Sequence, residues 1–566
     1  MSSAPAGARR RARLVGLLPR RSDWAVARRN PRRDLLAGLT VAIVALPLAL
    51  AFGVSSGLGA QAGLATAIVA GVLAAVFGGS NLQVSGPTGA MTVVLVPIMH
   101  QYGAGGVLMV GLLAGLVLIV LAVARVGRFA QFMPTPVIEG FTAGIAVVIA
   151  LQQVPSALGV TGADGERVWQ VAFAAVTRFV GDADPVPLLM AVAVAALMLA
   201  GARWRPGVPF SLIGVVVATG VAELAGLDVA RIGALPATLP APSLGFVDAG
   251  ALAGLVPSAL AVAALAALES LLCASVADAM SVNERHDPDR ELFGQGVANL
   301  VAPLFGGVPA TAAIARTAVN VRSGARSRVA AVSHAVVLAV IVFAASGLVG
   351  RIPLAVLAGV LLATTVRMVE VGSLRAIARS TRSDALVMAL TFVVTVALDL
   401  VTAVAIGIGV AIVLALRAVA LTVRIEQVPL EAGDHSEEEL RLLEDHIVAY
   451  RFDGPLFFAA AHRFLLELSE VADVRVVILR MSRVTTIDAT GAQVLGDAIA
   501  RLEQRGIIVL LSGIKPGHGQ VMGVLGVAEH LRRDGLIFAD TPAAIAHARG
   551  LLAPGAVVEE VVAGKV

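Results

Sequence analysis

The chain has 566 residues, 58% of them hydrophobic and 14% charged, with a formal net charge of +4 and a mean hydropathy of +0.88. Soluble domains are about half apolar and about a quarter charged, so this chain lacks the polar surface to live in water as a free enzyme. A single cysteine, Cys273, excludes an internal disulfide and any multi-cysteine metal centre.

In chain order, residues 1–33 carry ten arginines and one aspartate. Because hydrophobic spans follow at once, they read as a cytoplasmic flank under the positive-inside rule rather than as a nucleic-acid arm. No short apolar stretch with a small-residue cleavage site follows them, so a cleavable signal peptide is not expected. A membrane helix takes ~20 mostly apolar residues. Stretches meeting or approaching that length cover 35–52, 63–78, 105–124, 136–154, 186–202, 209–224, 255–280, 292–305, 329–348, 354–369, 385–398 and 400–421. Two shorter ones begin at Gly/Pro breaks, 86–100 after VSGPTGA and 306–321 with GGVPATAAIART. The total is fourteen segments.

The arginines agree with that count. With the N-terminus inside, even-numbered segments end in the cytoplasm and should be followed by positive charge. Arg125 and Arg128 follow the fourth, Arg203 and Arg205 the sixth, Arg322, Arg326 and Arg328 the tenth, and Arg375, Arg379 and Arg382 the twelfth. Both chain ends are then expected in the cytoplasm. The first and third segments start 51 residues apart, and so do the eighth and tenth. Paired interrupted segments in two halves point to a transporter's midplane site, and an odd number of spans per half makes the repeats inverted. The expected domains are a basic flank over 1–33, a transmembrane part over 34–421 with repeats near 34–226 and 250–421, and a linker over 422–446. Strands alternating with short helices over 447–550 make a small α/β domain, and 551–566 form a tail.

Chemistry concentrates at the two breaks. A half-helix that starts at membrane depth presents unpaired N–H groups and the positive end of its dipole, and two such ends make an anion site. Ser85-Gly86-Pro87-Thr88-Gly89-Ala90 suits one start and Pro309-Ala310-Thr311-Ala312-Ala313 the other, after which Arg316 is the one charge in an otherwise uncharged half-helix. A charge at that depth costs ~2.5–3.5 kcal/mol on insertion scales and normally has a partner and a function. Arg316 is therefore expected to be the counter-charge of a bound anion; the alternative is an arginine snorkelling to the surface or paired with a structural carboxylate. Glu269 stands alone between Asp248 and Asp278. It suits a proton-coupling site, or else a neutral carboxyl bridging two helices. No Walker-type loop and no nucleophile–histidine pair is present, so no enzymatic reaction is expected, and no metal or organic cofactor.

The runs DLLAGLTVAIVALPLALAFG, VFGGSNLQVSGPTGA, ALESLLCASVADAM, ELFGQGVANLVAPLFGGVPATAAIARTAVNVRSGA and TTIDATGAQVL together resemble the SulP anion transporter family, over nearly the whole chain. The resemblance implies an α-helical polytopic fold of fourteen segments as a seven-plus-seven inverted repeat, with core and gate domains. It also implies an elevator-like cycle, a frequent homodimer and a small cytoplasmic α/β STAS domain open to a protein partner. It carries an anion site onto Phe52, Gly86, Pro87, Thr88, Ala313, Ala315 and Arg316, with Glu269 at the coupling position. The sodium-coupled bicarbonate branch has Asp and Thr where this chain has Glu269 and Cys273, and a thiol is a poor ligand for a hard cation; proton coupling is expected instead. ALESLLCA and TAAIARTAVNVRSGA most resemble the branch that carries C4-dicarboxylates, while near relatives carry sulfate. An anion channel, a sodium-coupled bicarbonate transporter and a STAS-based membrane receptor are the alternative functions. In the loop Asp488-Ala489-Thr490-Gly491, Thr490 matches the place where anti-sigma antagonists are phosphorylated; a plain N-cap is the other reading.

Overall fold

The computed structural model describes residues 16–24, 31–128, 134–162, 165, 167–181, 184–205, 208–236, 238–281, 285–398, 400–422, 424–427, 446–456, 474–527 and 529–552. Most of the arginine-rich flank, the polar stretch 431–439 and the tail beyond 552 lie outside the described residues. Two compact units divide at Gly409 and Val410.

The first unit is helical: α1 (Pro31–Ser55), α2 (Ala60–Phe77), α3 (Gly89–Val123), α4 (Thr135–Leu158), α5 (Val168–Gly181), α6 (Pro185–Trp204), α7 (Phe210–Leu224), α8 (Leu252–Met280), α9 (Pro288–Val301), α10 (Ile314–Arg322), α11 (Arg328–Gly350), α12 (Leu354–Met368), α13 (Val371–Ser380), α14 (Arg382–Ala397) and α15 (Leu400–Thr422). Among the described residues eight helical stretches are long and apolar enough to cross a membrane. All fourteen expected segments have a counterpart. The third and fourth run together as α3 and are separated by a kink at Gly103, whose φ of 66° and ψ of −170° are not helical. Ends fall where capping chemistry allows: Asp184 accepts the Val186 N–H at α6, Asp287 those of Asp289 and Arg290 at α9, and Ser327 that of Val329 at α11.

Two helices of this unit were not expected. α5 is only 14 residues long, too short for the bilayer criterion, and exposes Trp169, Phe173, Val176 and Val180 along one stripe. α13 has 10 residues and no buried side chain.

Packing sorts the helices into two groups. In one, α3 packs on α8 and α9, α11 on α1 and α2, and α9 on α2; in the other, α4 packs on α12 and α14, α12 on α6, and α6 on α7. The first group is made of segments one to four and eight to eleven, the core; the second is the gate.

The second unit holds a six-stranded sheet. Its strands are β3 (Arg424–Gln427), β4 (Ile447–Leu456), β5 (Val476–Arg480), β6 (Val484–Ile487), β7 (Ile508–Ser512) and β8 (Ile537–Phe538), in the order β3-β4-β5-β7-β8 with β6 also on β4. Only β3–β4 is antiparallel. The central β5 is buried throughout, as its unbroken apolar run requires of a parallel strand covered on both faces. Among the described residues four helices accompany the sheet: α16 (Ala489–Gln504), α17 (Pro516–Val524), α18 (Glu529–Arg533) and α19 (Thr541–Leu552). α16 turns Ala492, Leu495, Ile499 and Leu502 inward at helical spacing. β3 lies within the stretch assigned to a linker from sequence, so four of those residues belong to the sheet instead.

Candidate functional site

The two interrupted segments meet. Ser85–Gly86 and Thr311–Ala312, strands β1 and β2, pair antiparallel, with Ser85 opposite Ala312 and Gly86 opposite Thr311. The Ala313 N–H adds a bond to the Val84 carbonyl at 3.0 Å. Two residues of ladder thus join the halves of the chain, and α3 and α10 start just beyond them. Backbone at this depth must satisfy its polar groups within the protein, and the ladder does so.

At the start of α3, Thr88 is the N-cap; its hydroxyl oxygen accepts the Met91 N–H at 3.4 Å and its hydroxyl proton goes to Glu269 Oε2 on α8 at 3.0 Å. Gly89, the first residue of α3, is hemmed by α1 and α4: a Cβ there would sit 3.2 Å from Phe52 Cε1 and 2.3 Å from Ile149 Cδ1. Ala313 caps α10 without a side-chain bond. The N–H groups of Ile314, Ala315 and Arg316 then have no acceptor within the helix, and Ile314 and Ala315 are exposed whereas Arg316 and Thr317 are buried.

Arg316 ties both starts together. From the first turn of α10 its Nη2 donates to the Pro87 carbonyl at 2.6 Å, the residue before the α3 cap. Its side chain is 1% exposed, so it does not snorkel, and among the described residues no carboxylate lies in salt-bridge contact with it. Its Nη1 has no hydrogen-bond partner among the described residues. Gly86 takes a φ of 155° and passes so close that a Cβ would meet Arg316 Nη1 at 2.5 Å; only glycine fits both demands. Glu269 is half-buried, with Thr311 and the Arg316 charge among its neighbours.

Phe52, Gly86, Pro87, Thr88, Glu269, Ala313, Ala315 and Arg316 are therefore gathered around one ladder. Four more polar groups stand around them, of which Ser270 and Thr317 were not anticipated. The Ser270 and Thr311 hydroxyls share a bond of 2.9 Å, and Ser270 Oγ also accepts the Ala312 N–H at 3.3 Å. Cys273 donates its thiol proton to Thr317 Oγ1 at 3.1 Å, which also accepts the Val84 N–H at 3.0 Å. The sequence signal for Ser270 and Cys273 was their spacing of three residues on α8; Thr311 stands in the short strand before α10 and Thr317 in its first turns. Thr490 belongs to the other unit. It is exposed in the first turn of α16, whose cap is Asp488, accepting the Gly491 N–H at 2.7 Å.

Known proteins resemble this chain over most of its length. The model of the Sulfate permease family matches residues 32–391, and that of the STAS domain residues 443–544. YvdB of Bacillus subtilis (strain 168), provisionally named a sulfate transporter, is 35% identical over 86% of this chain and 92% of its own. The bicarbonate transporter BicA of Synechocystis is 32% identical over 86% of this chain and 88% of its own. The solved transmembrane domain of a cyanobacterial BicA superposes with a TM-score of 0.62 at 33% identity, covering 66% of this chain and 98% of that one. The murine anion transporter Slc26a9 in the inward-facing state reaches 0.81 at 17% identity over 97% and 96%, a likeness of fold. With the family model spanning more than half its length and a STAS domain behind it, this multi-pass membrane chain belongs to the sulfate permease family.

Proposed function

We propose that the chain is a secondary active transporter of a small anion, held between the starts of α3 and α10 and carried by elevator-like movement of the core against the gate. The observation that carries this reading is the unpartnered Nη1 of buried Arg316 beside the free first-turn N–H groups of α10. A charged donor left unpaired in a protein interior costs about 1–3 kcal/mol or more. An anion that accepts from it removes that cost and gains the dipole. Phe52 and Ile149 close the apolar side at Gly89.

Glu269 supplies the coupling. An ionised carboxylate ~5 Å from a bound anion repels it by ~3 kcal/mol at an effective dielectric near 20, about a hundredfold in affinity. Protonated Glu269 removes that repulsion, so anion and proton bind together. Sodium is the poorer coupling ion here because the cysteine at position 273 offers sulfur where a hard cation wants oxygen. The substrate class is a C4-dicarboxylate, sulfate or bicarbonate; relatives named for sulfate and bicarbonate support the last two, and the resemblance of ALESLLCA and TAAIARTAVNVRSGA supports the first. The termini face the cytoplasm of the inner membrane, the transporter works as a homodimer, and the STAS domain offers a protein-docking unit in which Thr490 is open to phosphorylation.

Proteoliposome uptake of radiolabelled succinate, fumarate, sulfate and bicarbonate at two pH values tests this. An inward proton gradient should drive accumulation of at least one of them, and Glu269→Gln should abolish accumulation while leaving binding. Accumulation driven by a sodium gradient at fixed pH rejects proton coupling, and full pH-independent net flux through Glu269→Gln with no anion on the opposite side of the membrane favours a channel.

A further inference from the structure

The starts of α3 and α10 lie in different repeats, yet hydrogen bonds from both to one solute demand placement to within tenths of an ångström. The two-residue ladder is too short to supply this alone. One helix reaches both strands. On α9, Gln295 Nε2 donates to Ser85 Oγ at 2.6 Å. One turn later, Asn299 Nδ2 donates to the Ala310 carbonyl at 2.8 Å while Asn299 Oδ1 accepts the Ala310 N–H at 2.7 Å. The second grip is two-pronged: a side-chain amide takes the place a neighbouring strand would fill, just before Thr311.

Both amides are 0% exposed and are themselves held. Gln295 Nε2 donates to Glu291 Oε1 at 3.0 Å, and Glu291 Oε2 accepts the Gly79 and Ser80 N–H groups at 2.9 and 3.1 Å, fixing the loop after α2. Asn299 Nδ2 also donates to the Gln295 carbonyl at 2.9 Å. α9 lies close against its neighbours' backbone: a Cβ on Gly294 would meet Gly78 N at 2.4 Å, and one on Gly115 of α3 would meet Leu300 N of α9 at 2.7 Å. The element that grips both strands is thus wedged between α2 and α3. Neither amide hydrogen-bonds to Arg316, Thr88 or Glu269.

We infer that Gln295 and Asn299 are positioning residues: through Ser85 and Ala310 they set the separation at which the starts of α3 and α10 can share one anion. This rests on the reading of that space as the anion site. The experiment measures KM, Vmax and thermal unfolding for the full chain in proteoliposomes, with radiolabelled sulfate, bicarbonate and succinate offered in turn. Gln295→Met and Ser85→Ala should each raise KM about tenfold, the loss of one buried hydrogen bond, and the double variant should be no worse than the more affected single one. Asn299→Asp, which keeps the acceptor for Ala310 and loses the donor, should raise KM less than Asn299→Leu. If Asn299→Leu does not fold, Asn299→Asp and the Gln295–Ser85 cycle decide. KM within twofold of the parent in these variants, or additive effects of Gln295→Met and Ser85→Ala, overturns the inference. Should Arg316→Gln transport normally, or the parent take up none of the three anions, the anion site itself falls and the positioning role with it. Impaired Arg316→Gln beside unaffected α9 variants overturns the positioning role alone.

Discussion

The core and the gate are built from the same apolar alphabet and spend their polar atoms differently. Core polar groups bond across helices and across repeats: Thr88 to Glu269, Arg316 to Pro87, Asn320 to the Leu82 carbonyl, and Arg328 to the carbonyls of Ala75 and Gly78. Gate hydroxyls mostly turn back on their own helix. Thr391 donates to Val387 and Thr395 to Thr391, each one turn back, which satisfies the group but specifies no partner. Without a hydrophobic drive between helices in lipid, both groups pack through small residues. Long-range hydrogen bonding is what distinguishes the group holding the site. The gate's threonines thus specify few partners across helices, whereas the core is cross-braced around Arg316.

That contrast can be broken by substitution. The largest effect should come from Arg316→Gln, because truncating one member of a buried charged contact costs about 2–5 kcal/mol; initial uptake rates should fall about a hundredfold. A loss below tenfold would leave the core no more specialised than the gate. Glu269→Gln should erase the pH dependence of uptake between the two panel pH values and abolish uphill accumulation, with exchange in the absence of a gradient within about threefold of the parent, as expected when only the ionised form repels the anion. Gly86→Ala forces both a disfavoured φ and a clash with Arg316, about 1–3 kcal/mol of strain, and should cut uptake about tenfold or more. Asp488→Ala removes an N-cap from α16 and should destabilise the STAS unit by about 1 kcal/mol in thermal unfolding, without changing KM. Thr395→Val in the gate should be the mildest, below about 0.5 kcal/mol and with KM unaltered, since it removes only a bond to its own helix. A KM shift from Thr395→Val would contradict the contrast directly.

Much of the core was legible because its rules are local. Gly86-Pro87-Thr88 announces a break and a cap wherever it stands, and a lone Arg316 or Glu269 among apolar residues demands an account. Their meeting was not legible: Thr88 and Glu269 are 181 positions apart, and only the inverted repeat hinted that they share a depth. Gln295 and Asn299 hid because amides inside a helix have many ordinary partners, and nothing in their spacing names Ser85 or Ala310. α5 and α13 were missed because the bilayer sets a length criterion that helices shorter than a span do not meet. β3 was assigned to a linker because it is short and bonds to β4, whose pairing edge is known only once the sheet exists. At Asp488-Ala489-Thr490 two capping residues competed, and backbone geometry gives the cap to Asp488, leaving Thr490 exposed.

The most direct test of the central claim is a structure of the full chain with its transported anion bound. Density is expected within hydrogen-bonding distance of Arg316 Nη1 and the Ala315 N–H, bounded by Thr88 and Phe52. Density elsewhere in the membrane part, with Arg316 Nη1 still bonded to nothing, would contradict it.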